Sequence, residues 1–173
     1  MSCKGSSSRE ISCANTRTKG REVEFGRYYE ELEPGAVYQH WPGRTVSSYD
    51  STLFALVTMN QNPIFIDDEY AGAQSIGRRP VVDTLVLSLT VGMSVADTTG
   101  KAIANLGYES VVFERPLFPG DSLYAESEVI DKLESAGKPD RGIVHIETRA
   151  YNQNRERILV LRRHYLAPKR GKS

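Results

Sequence analysis

Beyond position 13 this chain has no cysteine. Its two thiols, Cys3 and Cys13, both fall in the polar opening stretch MSCKGSSSREISCANTRTKG. The remaining sequence can therefore supply no disulfide, thiolate metal ligand or cysteine nucleophile, and a reducing, cytoplasmic setting is expected. Histidine is also scarce. His40, His145 and His164 are the whole set, no two of them stand at metal-ligand spacing, and no metal is expected. An excess of either charge is missing too, with 22 Lys and Arg against 22 Asp and Glu. No overall positive field exists to hold a phosphate backbone, so nucleic acid is not an expected partner. Long apolar runs are absent as well: the stretch from Val81 to Val95 is interrupted by Asp83, Thr84, Ser88 and Thr90 and is shorter than the roughly 20 residues of a membrane span. The opening stretch has no apolar core of the secretory kind.

What is present is ordinary globular material, 39% hydrophobic and 25% charged in 173 residues, enough for one soluble domain. Residues 1–24 are too polar to offset their ordering entropy and are expected to be a disordered leader. Residues 25–169 form the expected domain, and 170–173 a basic tail. From Phe25 to Gly43, turn residues alternate with aromatics and predict loops, with His40 as a surface or packing residue; a short strand follows at 44–47. Ser47-Ser48-Tyr49-Asp50 has the form of a capping box, predicting a helix from Tyr49 to Met59. Residues 60–80 hold two prolines, two glycines and Asp67-Asp68-Glu69, which predicts a long irregular segment.

Val81 to Ala96 reads as a helix apolar nearly all round, with Asp83 and Thr84 as its amino-terminal cap. Long strands follow at 106–114, 122–132, 142–151 and 158–166, separated by turn signals. A helix followed by antiparallel strands defines an α+β layer, with the buried helix wrapped by a curved sheet.

Four stretches in this order resemble the MaoC-like hydratase family of hot-dog-fold proteins. They are Gly43-Arg44-Thr45-Val46 through Asp50, Asn60-Gln61-Asn62-Pro63-Ile64-Phe65, Phe113 through Leu123 with its Pro119-Gly120-Asp121 turn, and Asn152-Gln153. The resemblance spans about Phe25 to Lys169. It implies a homodimer acting on an acyl thioester of coenzyme A or of a carrier protein, with coenzyme A entering as part of the substrate and no separate cofactor. It also implies that an Asp and a His of the second stretch activate water, while N–H groups opening the buried helix polarise the thioester carbonyl.

The chain departs from that pattern at both reacting positions, where Asn60 and Phe65 stand in place of the Asp and the His. Asn takes up no proton at neutral pH and Phe has none to give. General acid–base catalysis contributes about 10²–10⁴-fold per group, so hydration requires substitutes. Asn60 and Asp83 are the candidate catalytic residues, and Asn62, Phe65 and Thr84 the candidate substrate-binding ones. Each also has a plain structural reading: Asp83 and Thr84 as helix caps, Asn60 and Asn62 as loop closers. Asp67 and Asp68 read either as solvated acids meeting Arg78 or Arg79, or as a carboxylate displaced into the site. His145 and His164 belong to a solvated sheet face beside Glu147 and Arg162.

Three functions follow from these alternatives. The first is a hydratase or dehydratase with rearranged acid–base groups, acting on a branched or dicarboxylic enoyl-CoA. The second is a non-catalytic acyl-CoA-binding or partner subunit, and the third a thioesterase.

Overall fold

Alternation along the last two long strands sets the layout. In β4 (Arg141–Tyr151), Val144, Ile146, Thr148 and Ala150 are buried, while Glu147 and Arg149 between them belong to a charged outer face. The same period recurs in β3 (Ser122–Glu134) and β5 (Arg157–Pro168), as a sheet covered on one face requires. In the computed structural model, which describes residues 25–171, these strands join β1 (Val37–Thr45) and β2 (Ala104–Phe113) in one antiparallel sheet of order β1-β3-β4-β5-β2.

The expected loop up to Gly43 is thus overturned, because β1 begins at Val37. His40 pairs with Ala125 and Arg44 with Leu123, so the strand bulges across Trp41-Pro42-Gly43. A bulge lets turn-type residues lie within a strand, which is why their turn chemistry misleads.

Helix α1 (Ser48–Val57) is capped by Ser47, whose hydroxyl accepts the Asp50 N–H while the Asp50 carboxylate accepts the Ser47 N–H, the reciprocal box its sequence predicts. The expected irregular segment contains two short helices, α2 (Pro63–Ile66) and α3 (Asp68–Ala73). Asn62 caps α2, with Pro63 in the first turn, and Asp67 caps α3. Asp68 pairs with Arg79 at 2.8 Å, the structural one of its two expected roles.

Helix α4 (Asp83–Ser94) lies on the inner face of the sheet and runs on through a π-helical turn, Val95–Thr99. It is not buried all round. Leu85, Val86, Thr90, Ser94 and Thr98 face the sheet, while Thr84, Ser88, Gly92 and Ala96 form an exposed line of small residues. Mean composition hides this difference, because Ser and Thr occur on both faces.

Two apolar clusters form the core, the first between the helices and the sheet, the second where the entry segment with Tyr29 and Leu32 covers the sheet. One gathers Val46, Ala55, Val82, Leu85, Val86, Leu117, Leu123, Leu159 and Leu161; the other gathers Tyr29, Leu32, Val129, Val144, Ile146 and Tyr165. Each fully buried aliphatic side chain contributes about 1.5–3 kcal/mol. Buried polar residues also occupy this interior: His40, Ser127, Thr148 and Arg163 from the sheet, Thr90 and Ser94 from α4, and Thr98 from the π-helical turn. His40 Nδ1 meets Asp97 Oδ2 at 2.9 Å and Nε2 meets Ser127 Oγ at 2.8 Å, and Ser127 Oγ lies 2.7 Å from Thr148 Oγ1. His40 is therefore an internal strand residue of this network. Burial pushes its imidazole below the ordinary value, against the hydrogen bond and charge of Asp97.

On the outer face, Arg149 bridges Glu126, Glu128 and Glu147, and Arg162 also reaches Glu147. His145 pairs with Asp131 at 3.0 Å and stands beside His164 with ring centroids 5.2 Å apart. The histidines thus lie on the charged sheet face that alternation predicts. The leader, residues 1–24, lies outside the described residues, as do residues 172 and 173 of the tail. Within the described tail, Arg170 pairs with Glu31.

Candidate functional site

A cavity of about 290 Å³ opens at the amino end of α4. Its apolar wall includes Phe65, Val81, Phe113 and Leu117, and its charged groups are Asp83, Glu114 and Arg115. Separate pieces of chain build it, including Ile158 at the start of β5. Phe65 comes from α2, Asp83 opens α4, and Glu114 and Arg115 follow the end of β2.

Phe65 is held from behind. Arg79 donates to the Phe65 carbonyl at 3.3 Å and to Thr52 Oγ1 at 3.1 Å, while its Nε holds Asp68. One guanidinium thereby ties the α2–α3 segment to α1. The ring itself packs against the first apolar cluster. It supplies surface to the cavity and no proton.

Asp83 and Thr84 do not cap α4 as expected. Val82 is the cap residue, and its N–H is bound by Ser51 Oγ at 3.1 Å. Asp83 lies in the first turn, where Oδ1 accepts the Thr84 N–H at 2.8 Å. A buried Ser51 hydroxyl reaching from α1 thus anchors the cap residue itself. Among the described residues, the Asp83 N–H and Asp83 Oδ2 are left without a protein partner.

Glu114 is a cavity carboxylate that sequence reasoning missed. Arg157 holds it through two bonds, Nε to Oε2 at 2.9 Å and an NH2 contact to Oε1 at 2.7 Å. Such a fork restricts the carboxylate to one orientation. The available signal was its place between an alternating strand and Arg115-Pro116. Arg115 has only a loose 3.9 Å pairing with Glu156.

The structure brings Phe65 and Asp83 together and leaves Asn60, Asn62 and Thr84 out of the cavity lining. Asn60 Oδ1 accepts the Asn62 N–H at 3.1 Å, and Asn62 Oδ1 accepts the Ile64 N–H at 3.2 Å. Both side-chain oxygens are engaged in local turns, which is the loop-closing reading of this pair. Among the described residues no cluster of three or more His, Asp or Glu could hold a metal ion, and no helix is long and apolar enough to cross a membrane.

A helix lying on one antiparallel sheet of order β1-β3-β4-β5-β2, with a cavity at the helix start, defines a hot-dog protein of the MaoC-like class. A protein of Mycobacterium tuberculosis described as having a double hotdog fold superposes with a TM-score of 0.78 at 23% identity, over 86% of this chain and 46% of that one. A putative MaoC domain protein dehydratase from Chloroflexus aurantiacus gives a TM-score of 0.83 at 26% identity, over 88% of this chain and 43% of the other. The mesaconyl-CoA hydratase family model matches residues 7–173, and the chain belongs to that family. The mesaconyl-CoA hydratase of Cereibacter sphaeroides is 34% identical over 145 residues, which are 84% of this chain and 42% of that protein. The chain therefore spans less than half the length of that relative.

Proposed function

We propose that this chain forms the acyl-thioester site of an enoyl-CoA hydratase or dehydratase, adding water reversibly to the double bond of a branched or dicarboxylic acyl-CoA. The carrying observation is that Asp83 and Glu114 share one cavity with Phe65, so carboxylates are supplied where the usual Asp and His are lacking.

In this reading Asp83 is the base. As the water oxygen bonds to the β-carbon, Oδ2 takes the water proton and the double-bond electrons pass toward the thioester carbonyl. The Asp83 N–H at the helix start stabilises that oxygen, as a helix amino terminus does for developing negative charge. The proton then returns to the α-carbon, which regenerates the carboxylate. Glu114, fixed by Arg157, orients the water, and Arg115 offers a cation for a second carboxylate of the acyl group. The reading also places the chain in the cytoplasm as a homodimer. β2 favours it, being a sheet edge that exposes Leu106, Tyr108 and Val112, and unpaired edges invite a second strand.

Incubation with mesaconyl- and crotonyl-type CoA thioesters tests the proposal, with loss of the enoyl-thioester absorbance as readout. Hydration that disappears in Asp83→Asn is expected; no water addition at any pH removes the reading. Free thiol detected with Ellman's reagent, with no hydrated product, would instead mark a thioesterase.

A second reading, a non-catalytic acyl-CoA-binding or partner subunit, is favoured by the Thr84 N–H, which the Asp83 carboxylate already occupies. It predicts coenzyme A thioester binding without turnover, and activity appearing only in the double variant Asn60→Asp with Phe65→His.

A further inference from the structure

Two more depressions continue from the cavity. A groove of about 250 Å³ shares Arg115, Pro116 and Ile158 with it, and that groove shares Asn152 with a cleft of about 630 Å³ on the far side. The three therefore lie side by side around the end of the sheet that carries the β4–β5 turn.

The chemistry changes from one to the next in a definite order. Its first part is apolar with a reacting carboxylate. The middle groove carries Arg78, stacked on Phe118 at 3.7 Å and with no carboxylate partner among the described residues. The acids beside it are already engaged. Asp121 accepts the Phe118 N–H and the Gln153 amide at 2.9 and 2.8 Å, and Glu156 accepts the Asn152 amide at 2.8 Å besides its loose contact with Arg115. An incoming anion thus meets an available guanidinium.

The last cleft is aromatic. Trp41 is 83% exposed and Tyr124 42% exposed, and Tyr151 lines the same space with its hydroxyl donating to Glu126 at 3.2 Å. Gly43 makes room for this arrangement, since a Cβ there would come within 2.5 Å of the Tyr124 ring. Arg155 stands at the rim in a left-handed backbone conformation, φ 64°, again without a carboxylate partner among the described residues. Large apolar rings are held open to solvent beside a cation, a combination that suits a planar base bearing phosphates.

Apolar pocket, arginine groove and aromatic cleft come in the order of acyl group, diphosphate and adenine in an acyl-coenzyme A, whose pantetheine arm joins the first two. We infer that the cleft of Trp41, Tyr124 and Tyr151 seats the adenine of coenzyme A, with Arg78 and Arg155 taking its phosphates. The inference rests on the acyl-thioester reading above, but makes a separate claim about where the nucleotide binds.

Trp41 is the single tryptophan of the chain, so its fluorescence reports on the cleft directly. Titrating the full chain with coenzyme A, 3′-phosphoadenosine diphosphate and pantetheine is expected to quench emission with the first two and not with the third. In calorimetry, Trp41→Ala is expected to weaken coenzyme A about tenfold to a hundredfold, the range of base–aromatic stacking, and to leave pantetheine unchanged. Arg155→Ala is expected to lower the salt dependence of coenzyme A binding. Since both side chains are exposed at the cleft, the variants should fold, which circular dichroism checks.

Equal affinity for coenzyme A and pantetheine, without quenching by either nucleotide, overturns the inference. Hydration of enoyl-CoA and enoyl-pantetheine with the same kcat/KM would overturn it while leaving the hydratase reading intact. Nucleotide-dependent quenching in a chain that hydrates nothing would uphold it and remove the hydratase reading.

Discussion

His40 Nδ1 and Asp97 Oδ2 lie 2.9 Å apart although 57 positions separate them in the chain. The contact ties β1 to the π-helical turn that follows α4, and through Nε2 the same imidazole holds Ser127 on β3. A buried ring with both nitrogens engaged fixes how the helix sits along the sheet, and hence where the amino end of α4 opens the cavity.

Replacing His40 by Ala removes its buried bond to Ser127, which keeps Thr148, and its bond to Asp97, which water can reach. A total loss of about 1–3 kcal/mol is expected in urea unfolding. The wild-type protein should also be pH-sensitive through this residue. Because the folded imidazole titrates below its ordinary 6.5, the unfolded chain binds the proton more readily. The His40 contribution is thus complete above pH 6.5, and is lost progressively as pH falls from there through the folded value. A flatter stability profile in His40→Gln over that window checks the assignment; an unchanged slope contradicts it.

Asp83→Asn and Glu114→Gln divide the proposed catalytic roles. Asp83→Asn should lower the hydration rate about 10²–10⁴-fold, as removal of a general base does. Glu114→Gln breaks the charge-assisted fork to Arg157 and should also reduce turnover, by a smaller factor. If both variants hydrate enoyl-CoA at the parental rate, the carboxylates are bystanders.

Ser47→Ala removes one side of the capping box that starts α1. Cap removal costs about 0.5–2 kcal/mol, measurable as a lower denaturation midpoint at constant m-value. The Ser47 backbone N–H, and after it the Ser47 hydroxyl that the Ala variant lacks, hold the Asp50 carboxyl below its ordinary 3.8. Its contribution is present above that pH and is lost as pH falls through the depressed folded value, so acid unfolding should narrow the gap between Ser47→Ala and the parent.

Tyr165→Phe and Arg163→Met test polar groups that burial leaves unsatisfied. The Tyr165 hydroxyl and Arg163 Nε are buried without a hydrogen-bond partner among the described residues, and Arg163 keeps one bond, to Ser94 Oγ at 2.7 Å. Burial pushes the Arg163 guanidinium below its ordinary pKa. Deleting an unpaired buried polar group relieves a penalty of about 1–3 kcal/mol. Both variants should therefore match or exceed the parent in thermal stability; a large loss in either would indicate a hidden partner.

Much of this architecture is legible along the chain. The four long strands after α4 and the Ser47–Asp50 box follow from alternation and capping chemistry, while local charge left Asp67 and Asp68 open to Arg78 or Arg79 and the structure selects Asp68 with Arg79. β1 escapes because its bulge takes up Trp41-Pro42-Gly43, residues whose turn chemistry outweighs a short alternating pattern. The cap falls one residue earlier than expected, on Val82, whose N–H is held by Ser51, 31 positions away.

By itself the sequence determined the α+β layering, which follows from periodicity, and its four motifs, through their resemblance to the MaoC-like family, determined that the positions of the usual Asp and His hold Asn60 and Phe65. Both are read from short stretches of chain. Only the tertiary structure decided that Glu114 joins Asp83 in one cavity, that Asn60 and Asn62 are engaged in turns, and that His40 is internal. Those outcomes depend on which side chains meet across the sheet and at the helix start, and contacts between distant segments leave no periodic trace in the chain.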